Sequence, residues 1–134
     1  MMKMSSVVHF EMPAKDKKRV SEFYTKVFGW QMQLMDEKMG NYLLANTTPT
    51  DHKTMRPAEP GAINGGFFDF EDNELNRAPH VVISVANLDQ SIKAVQDAGG
   101  EILGEKMDIP NVGMYVSIKD TEGNLVGMLQ SSER

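Results

Sequence analysis

The sequence predicts an α+β fold made of two βαβββ modules whose curved, mixed sheets pair around a cleft. Three observations carry that expectation. Short runs with two-residue apolar alternation recur along the chain, as half-buried strands require. Two segments instead place apolar residues at three- and four-residue steps and stop at glycine, as amphipathic helices do. A single shift of 71 residues, from His9 to His80, also sets Asp16 near Asn87 and Gly29 on Gly100, so the order of elements repeats.

The first strand is Val7 to Met12, with Val8, Phe10 and Met12 on one face and Val7, His9 and Glu11 on the other, and Pro13 ends it. Asp16 then caps a helix whose apolar stripe is Val20, Phe23, Tyr24 and Val27, and Gly29 terminates it. Trp30 to Met35 alternates as a second strand, a turn covers Lys38 to Asn41, and Tyr42 to Ala45 is the third. Asn46 to Pro60 is polar and holds Pro49, Pro57 and Pro60, which reads as a long loop over an edge or a cavity mouth, with His52 an exposed residue of no role. Asn64 to Phe70 is the fourth strand, where Gly65 and Gly66 mark a bulge or a close backbone approach.

A polar connection from Glu71 to Pro79 leads into the repeat. His80 to Val85 is its first strand, and a helix follows from Asn87-Leu88-Asp89, with Ile92, Val95 and Ala98 inward and Gly99-Gly100 as its stop. Glu101 to Met107, Gly113 to Ile118 and Leu125 to Gln130 complete it, the last two joined by the turn Asp120-Thr121-Glu122-Gly123-Asn124. The expected organisation is one domain, residues 1–134, of module one (6–70) and module two (79–131). Each module has a helix on one sheet face and leaves the concave face bare, so a small ligand is expected in the cleft between them.

Composition narrows the functions. The 134 residues carry 14 Lys plus Arg against 19 Asp plus Glu, a net charge of −5, and no cysteine. Thiol nucleophiles, disulfides, Cys-ligated zinc and iron–sulfur clusters are excluded together. The mild acidity argues against nucleic acid and against an anionic membrane, both of which call for a basic surface. The basic run Lys15 to Arg19, interrupted by Asp16, reads as the solvated start of a helix. No apolar run is long enough to span a membrane and Met1 to Ser6 lacks a signal-peptide core, so the expected location is cytoplasmic. Eleven methionines suit an adaptable core or a cavity lined partly by thioethers. No nucleophile elbow or phosphate loop is present, and the glycine-rich 61–66 segment leads into a strand rather than a helix.

The segments VVHFEMPAKDKKRVSEFYTKVFGW, HVVISVANLDQSIKAVQDAGGEIL and IPNVGMYVSIKDTEGNLVGMLQ resemble the vicinal oxygen chelate superfamily, also called the glyoxalase/bleomycin resistance/dioxygenase superfamily. Within it the chain is most similar to small bacterial proteins related to lactoylglutathione lyase. The resemblance implies a glyoxalase-like fold and, in many members, a homodimer. In the enzymes it also implies a divalent metal (Zn, Ni, Fe or Mn) that holds two substrate oxygens.

A catalytic metal needs three or four protein ligands and open positions for substrate. The resemblance places His9 and His80 at the first-strand ligand positions of the two modules, and each shares its strand face with the residues expected to face the cleft. The carboxylates are missing. Gly127 stands where the family's last ligand is a Glu, and the module-one counterpart, expected near Leu44 or Ala45, cannot ligate. Gln130 has the opposite strand parity to Gly127. Glu11 has the parity of His9 and would complete a two-His, one-carboxylate set, or it is a solvated or salt-bridged strand residue. His9 and His80 are thus read as a metal pair, as histidines that hydrogen-bond a ligand, or as strand residues without a ligand role.

The expected ligand-binding residues are His9, Glu11, Trp30, His80 and Met114, with Met32, Leu34 and Val116 near an apolar space. The expected function is binding of a small molecule without a complete metal site and with no cofactor. The alternative is a metal-dependent lyase, isomerase or dioxygenase related to lactoylglutathione lyase.

Overall fold

The structure, a computed structural model, describes residues 4–132. Of the Met1 to Ser6 segment, residues 1–3 lie outside the described residues. The elements in order are strand β1 (Val7–Ala14), helix α1 (Lys17–Phe28), β2 (Gln31–Leu34), a 3-10 turn (Glu37–Met39), β3 (Leu43–Asn46), β4 (Thr50–Asp51), β5 (Arg56–Pro57) and β6 (Asn64–Asp69). They continue with β7 (His80–Ser84), helix α2 (Leu88–Asp97), β8 (Glu101–Ile109), β9 (Gly113–Lys119) and β10 (Leu125–Ser131). The chain forms two compact units: residues 9–79, and the chain through Val8 with the chain from His80 on. The βαβββ order therefore occurs twice. The Asn46 to Pro60 segment departs from a plain loop, because β4 and β5 pair in it as a small antiparallel hairpin.

In the N-terminal unit the strand order is β2-β3-β6-β1, with β1 and β6 parallel and the other pairs antiparallel. The C-terminal unit has the order β7-β10-β9-β8, with β7 and β10 parallel and the rest antiparallel. Each unit thus sets its first strand beside its last, and the two sheets repeat one another. The helix starts repeat as closely. The Asp16 side chain accepts from Arg19 N at 3.0 Å and that of Asn87 accepts from Gln90 N at 2.9 Å, each satisfying an orphan donor of the first turn. The stops differ by one residue. Gly29 takes the left-handed conformation after α1, whereas Gly99, rather than Gly100, takes it after the shorter α2.

Strand parity sorts the cores. Phe10, Met12, Ala14, Leu43, Ala45 and Phe67 meet Val20 and Tyr24 of α1. Of the stripe read on α1 the residues Val20 and Tyr24 face this core, while Phe23 and Val27 are 53% and 54% exposed. The C-terminal core joins Val85, Val116, Ile118 and Met128 to Leu88, Ile92 and Val95 of α2. Gln130 confirms the parity argument: its Oε1 accepts from Leu88 N at 2.8 Å, so it serves the start of α2 instead of sharing the face of Gly127.

Candidate functional site

The N-terminal sheet turns Phe10, Met12 and Ala14 toward α1, so His9 and Glu11 stand on the opposite face by strand alternation. The hairpin between β2 and β3 brings Tyr42 to the same face. Three features set its position. Asn41 adopts a left-handed conformation at φ 55, Met35 N donates to the Tyr42 carbonyl at 2.8 Å, and Tyr42 N donates to the Met39 carbonyl at 3.3 Å. Lys17 of α1 anchors the turn from outside, donating to the Asn41 carbonyl and pairing with Asp69 at 3.0 Å.

The Tyr42 hydroxyl donates to Glu11 Oε2 at 3.1 Å and lies 3.0 Å from His9 Nε2. All three side chains are half-buried. A phenol has one proton, and with that proton directed to the carboxylate the Tyr42 oxygen is left as an acceptor toward His9 Nε2. The result is a carboxylate–phenol–imidazole chain assembled from one strand and one hairpin. His9 pairs in register with Asn64, and the Asn64 side chain accepts from Thr47 N at 2.9 Å, which ties the start of the 46–60 segment to the same strand.

Sequence reasoning placed His9 and Glu11 together on this strand face and did not bring Tyr42 to them. The signal was available in part: Gly65-Gly66 marked a close approach, and the structure resolves it into two. A Cβ at Gly65 would stand 2.4 Å from ring atoms of Phe10, and a Cβ at Gly66 would stand 2.1 Å from Tyr42 Cε2.

The other candidates are placed as follows. Trp30, read as a ligand-binding residue, lies on the helix-covered face, its ring centroid 4.7 Å from Tyr24 and 5.6 Å from Phe10, because the aromatic residues of α1 and β1 enclose it. Met32 shares that core, and Leu34 is 60% exposed. Met114, also read as ligand-binding, packs with Val116 in the core beneath α2, and this parity puts Tyr115 and Ser117 on the other face. His80 opens β7 half-buried, on the strand face it shares with Val82. His52 is exposed in the turn between β4 and β5.

Gly127 pairs with Ser117 on β9 and Val82 on β7. Its register equivalent in the N-terminal unit pairs with Leu44 on β3 and Glu11 on β1, and that residue is Gly66. The expected module-one counterpart near Leu44 or Ala45 is therefore corrected to β6, the strand that corresponds to β10. Both positions are glycine. Neither can supply a metal ligand, and His9 Nε2 is already engaged by Tyr42. Among the described residues no three His, Cys, Asp or Glu side chains are grouped as a metal ion requires. This donor set does not fit the metal centre that the resemblance implies.

The sequence matches the family model described as Glyoxalase/Bleomycin resistance protein/Dioxygenase superfamily over residues 6–128. The chain belongs to that superfamily. A glyoxylase-like domain-containing protein of Didymella fabae is 30% identical over 117 residues, which are 85% of this chain and 84% of that one. Among solved structures, a Streptomyces coelicolor methylmalonyl-CoA epimerase in complex with 2-nitronate-propionyl-CoA aligns with a TM-score of 0.68 at 17% identity, covering 98% of this chain and 97% of the other. The methylmalonyl-CoA epimerase of Mycobacterium tuberculosis aligns with a TM-score of 0.65 at 16% identity over 98% and 93%. At these identities the likeness is one of glyoxalase-superfamily fold.

Proposed function

We propose that this superfamily member binds a small organic molecule on the N-terminal sheet face, with the His9–Tyr42–Glu11 chain as its polar recognition group and no family-type metal centre. The observation that carries the reading is the Tyr42 hydroxyl, held between Glu11 and His9 on the face opposite α1. A hydrogen-bonded trio of a carboxylate, a phenol and an imidazole holds its members in fixed orientations, and such pre-oriented groups confer specificity at low entropic cost. His80, half-buried on the C-terminal sheet, is proposed as a ligand-binding residue of its own unit. Trp30 and Met114 act from the cores behind the sheets.

A panel of small molecules that includes a CoA thioester, the chemistry named for the solved relatives, tests this by thermal shift and calorimetry. A ligand of the natural protein should lose about tenfold or more in affinity on Glu11→Gln or Tyr42→Phe, the cost of one hydrogen bond to a charged partner. Unchanged affinity in both variants contradicts the proposal.

A homodimer belongs to the same proposal. The β8 edge suits edge-to-edge pairing poorly, because the ladder is irregular between Leu103 and Met107 and the strand carries Glu105, Lys106 and Asp108. Phe23, Val27 and Phe28 of α1, 53–59% exposed, are the apolar surface that a second copy would cover. Light scattering should give twice the 15.0 kDa chain mass, and a species of chain mass alone contradicts the dimer.

A further inference from the structure

Tyrosine rings cover two glycines of this protein in the same way. In the N-terminal unit Gly66 of β6 pairs with Leu44 of β3, and Tyr42, two residues before Leu44, lays its ring over the glycine. A Cβ there would stand 2.1 Å from Tyr42 Cε2 and 2.3 Å from its hydroxyl oxygen. In the C-terminal unit Gly127 of β10 pairs with Ser117 of β9, and Tyr115, two residues before Ser117, covers it. A Cβ at Gly127 would stand 2.3 Å from the Tyr115 hydroxyl oxygen and 2.7 Å from Cε1. Both glycines are buried, and neither is among the glycines of positive φ. Space, rather than backbone conformation, therefore requires glycine at each.

The two pairs differ in the residue that the neighbouring strand sets beside the glycine. On β1 the residue beside Gly66 is Glu11, which accepts the Tyr42 proton. On β7 the residue beside Gly127 is Val82, which is 2% exposed.

We infer that Tyr42 and Tyr115 are a duplicated pair of specificity-determining residues. Each ring fills the space that a side chain at the paired position of the unit's last strand would need, so both positions are closed to metal-ligating carboxylates; the half-buried Tyr42 stands there in place of one, while the Tyr115 ring is itself buried. The role given to the Tyr42 hydroxyl rests on the small-molecule reading above, whereas the steric closure is independent of it.

The test is a thermal-unfolding cycle on the full chain. Gly66→Ala should lower the unfolding midpoint by about 3–8 °C, as overpacking does in a domain of this size. In a Tyr42→Ala background the same substitution should lower it by no more than about 1 °C, because the clash is gone. Tyr42→Phe keeps the ring and should leave the full Gly66→Ala drop in place. Equal drops with and without the ring overturn the inference. Gly127→Ala and Tyr115→Ala should couple in the same sense, and the half-buried Tyr42 keeps the N-terminal cycle decisive if the Gly127→Ala protein does not fold.

Titration with Zn²⁺ or Ni²⁺ supplies a second readout. The Tyr42→Ala/Gly66→Glu protein should bind metal at least roughly tenfold more tightly than Gly66→Glu with Tyr42 retained. Equal affinities overturn the closure. Failure of the small-molecule reading would leave the Gly66–Tyr42 coupling intact, while failure of this inference would show as additive midpoint shifts whatever ligand is found.

Discussion

Phe67→Ala should lower the unfolding free energy by about 3–5 kcal/mol, the cost of deleting a fully buried phenylalanine and leaving a cavity. Phe67 is 1% exposed and sits on β6 opposite Leu43, with its ring centroid 5.4 Å from that of Tyr24. It joins the sheet to α1, whose Val20 and Tyr24 pack against the same core. Trp30 is the single tryptophan and packs in this core, so urea unfolding followed by its fluorescence reads the loss directly. A change below about 1 kcal/mol would mean that Phe67 is not the packing centre of the unit.

Gly65→Ala should cost about 1–3 kcal/mol although it adds one methyl group. The new Cβ would stand 2.4 Å from three atoms of the Phe10 ring, well inside van der Waals contact. Relief requires the Phe10 ring to move, and Trp30, with ring centroid 5.6 Å away, packs against it. Phe10→Leu in the same chain should recover part of the loss, since a smaller side chain yields at the point of contact. Urea unfolding of the single and double variants checks both statements, and an undiminished midpoint for Gly65→Ala would contradict them.

The strand and helix order was legible because each device that produces it is local. Alternation placed Phe10 and Met12 opposite His9, Asp16 and Asn87 advertised their caps, and the 71-residue shift exposed the repeat. Face assignment beyond the first strand was less legible. Parity gives two faces for Trp30 and Met114 but does not say which one a helix covers, and packing against Tyr24 of α1 and in the core that holds Leu88 of α2 decides it. Phe23 and Val27 fit the helical stripe, yet sequence periodicity does not fix how much of α1 the sheet covers.

Of the site, His9 and Glu11 were legible from strand position, and Tyr42 was not. Tyr42 lies one residue before β3 with the parity of Leu44, and only the register of β3 with β6 shows that this parity sets its ring over Gly66 beside Glu11. Gly66 was missed as the counterpart of Gly127 because the segment containing β4 and β5 has no equivalent in the second module and breaks the constant shift. Register, which only the structure supplies, restores the correspondence through Leu44 and Ser117.

In the proposed reading, Tyr42 and the paired glycines stand in place of a metal centre and leave a hydrogen-bonding group there. Metal content per chain of freshly purified protein, measured by plasma mass spectrometry, tests it most directly. Well under one Zn, Ni, Fe or Mn per chain is expected, unchanged on His9→Ala or His80→Ala, because two imidazoles without carboxylate support make an incomplete site. One tightly bound metal per chain that is lost on either substitution would contradict it, and would make Glu11 the first residue to test as the third ligand.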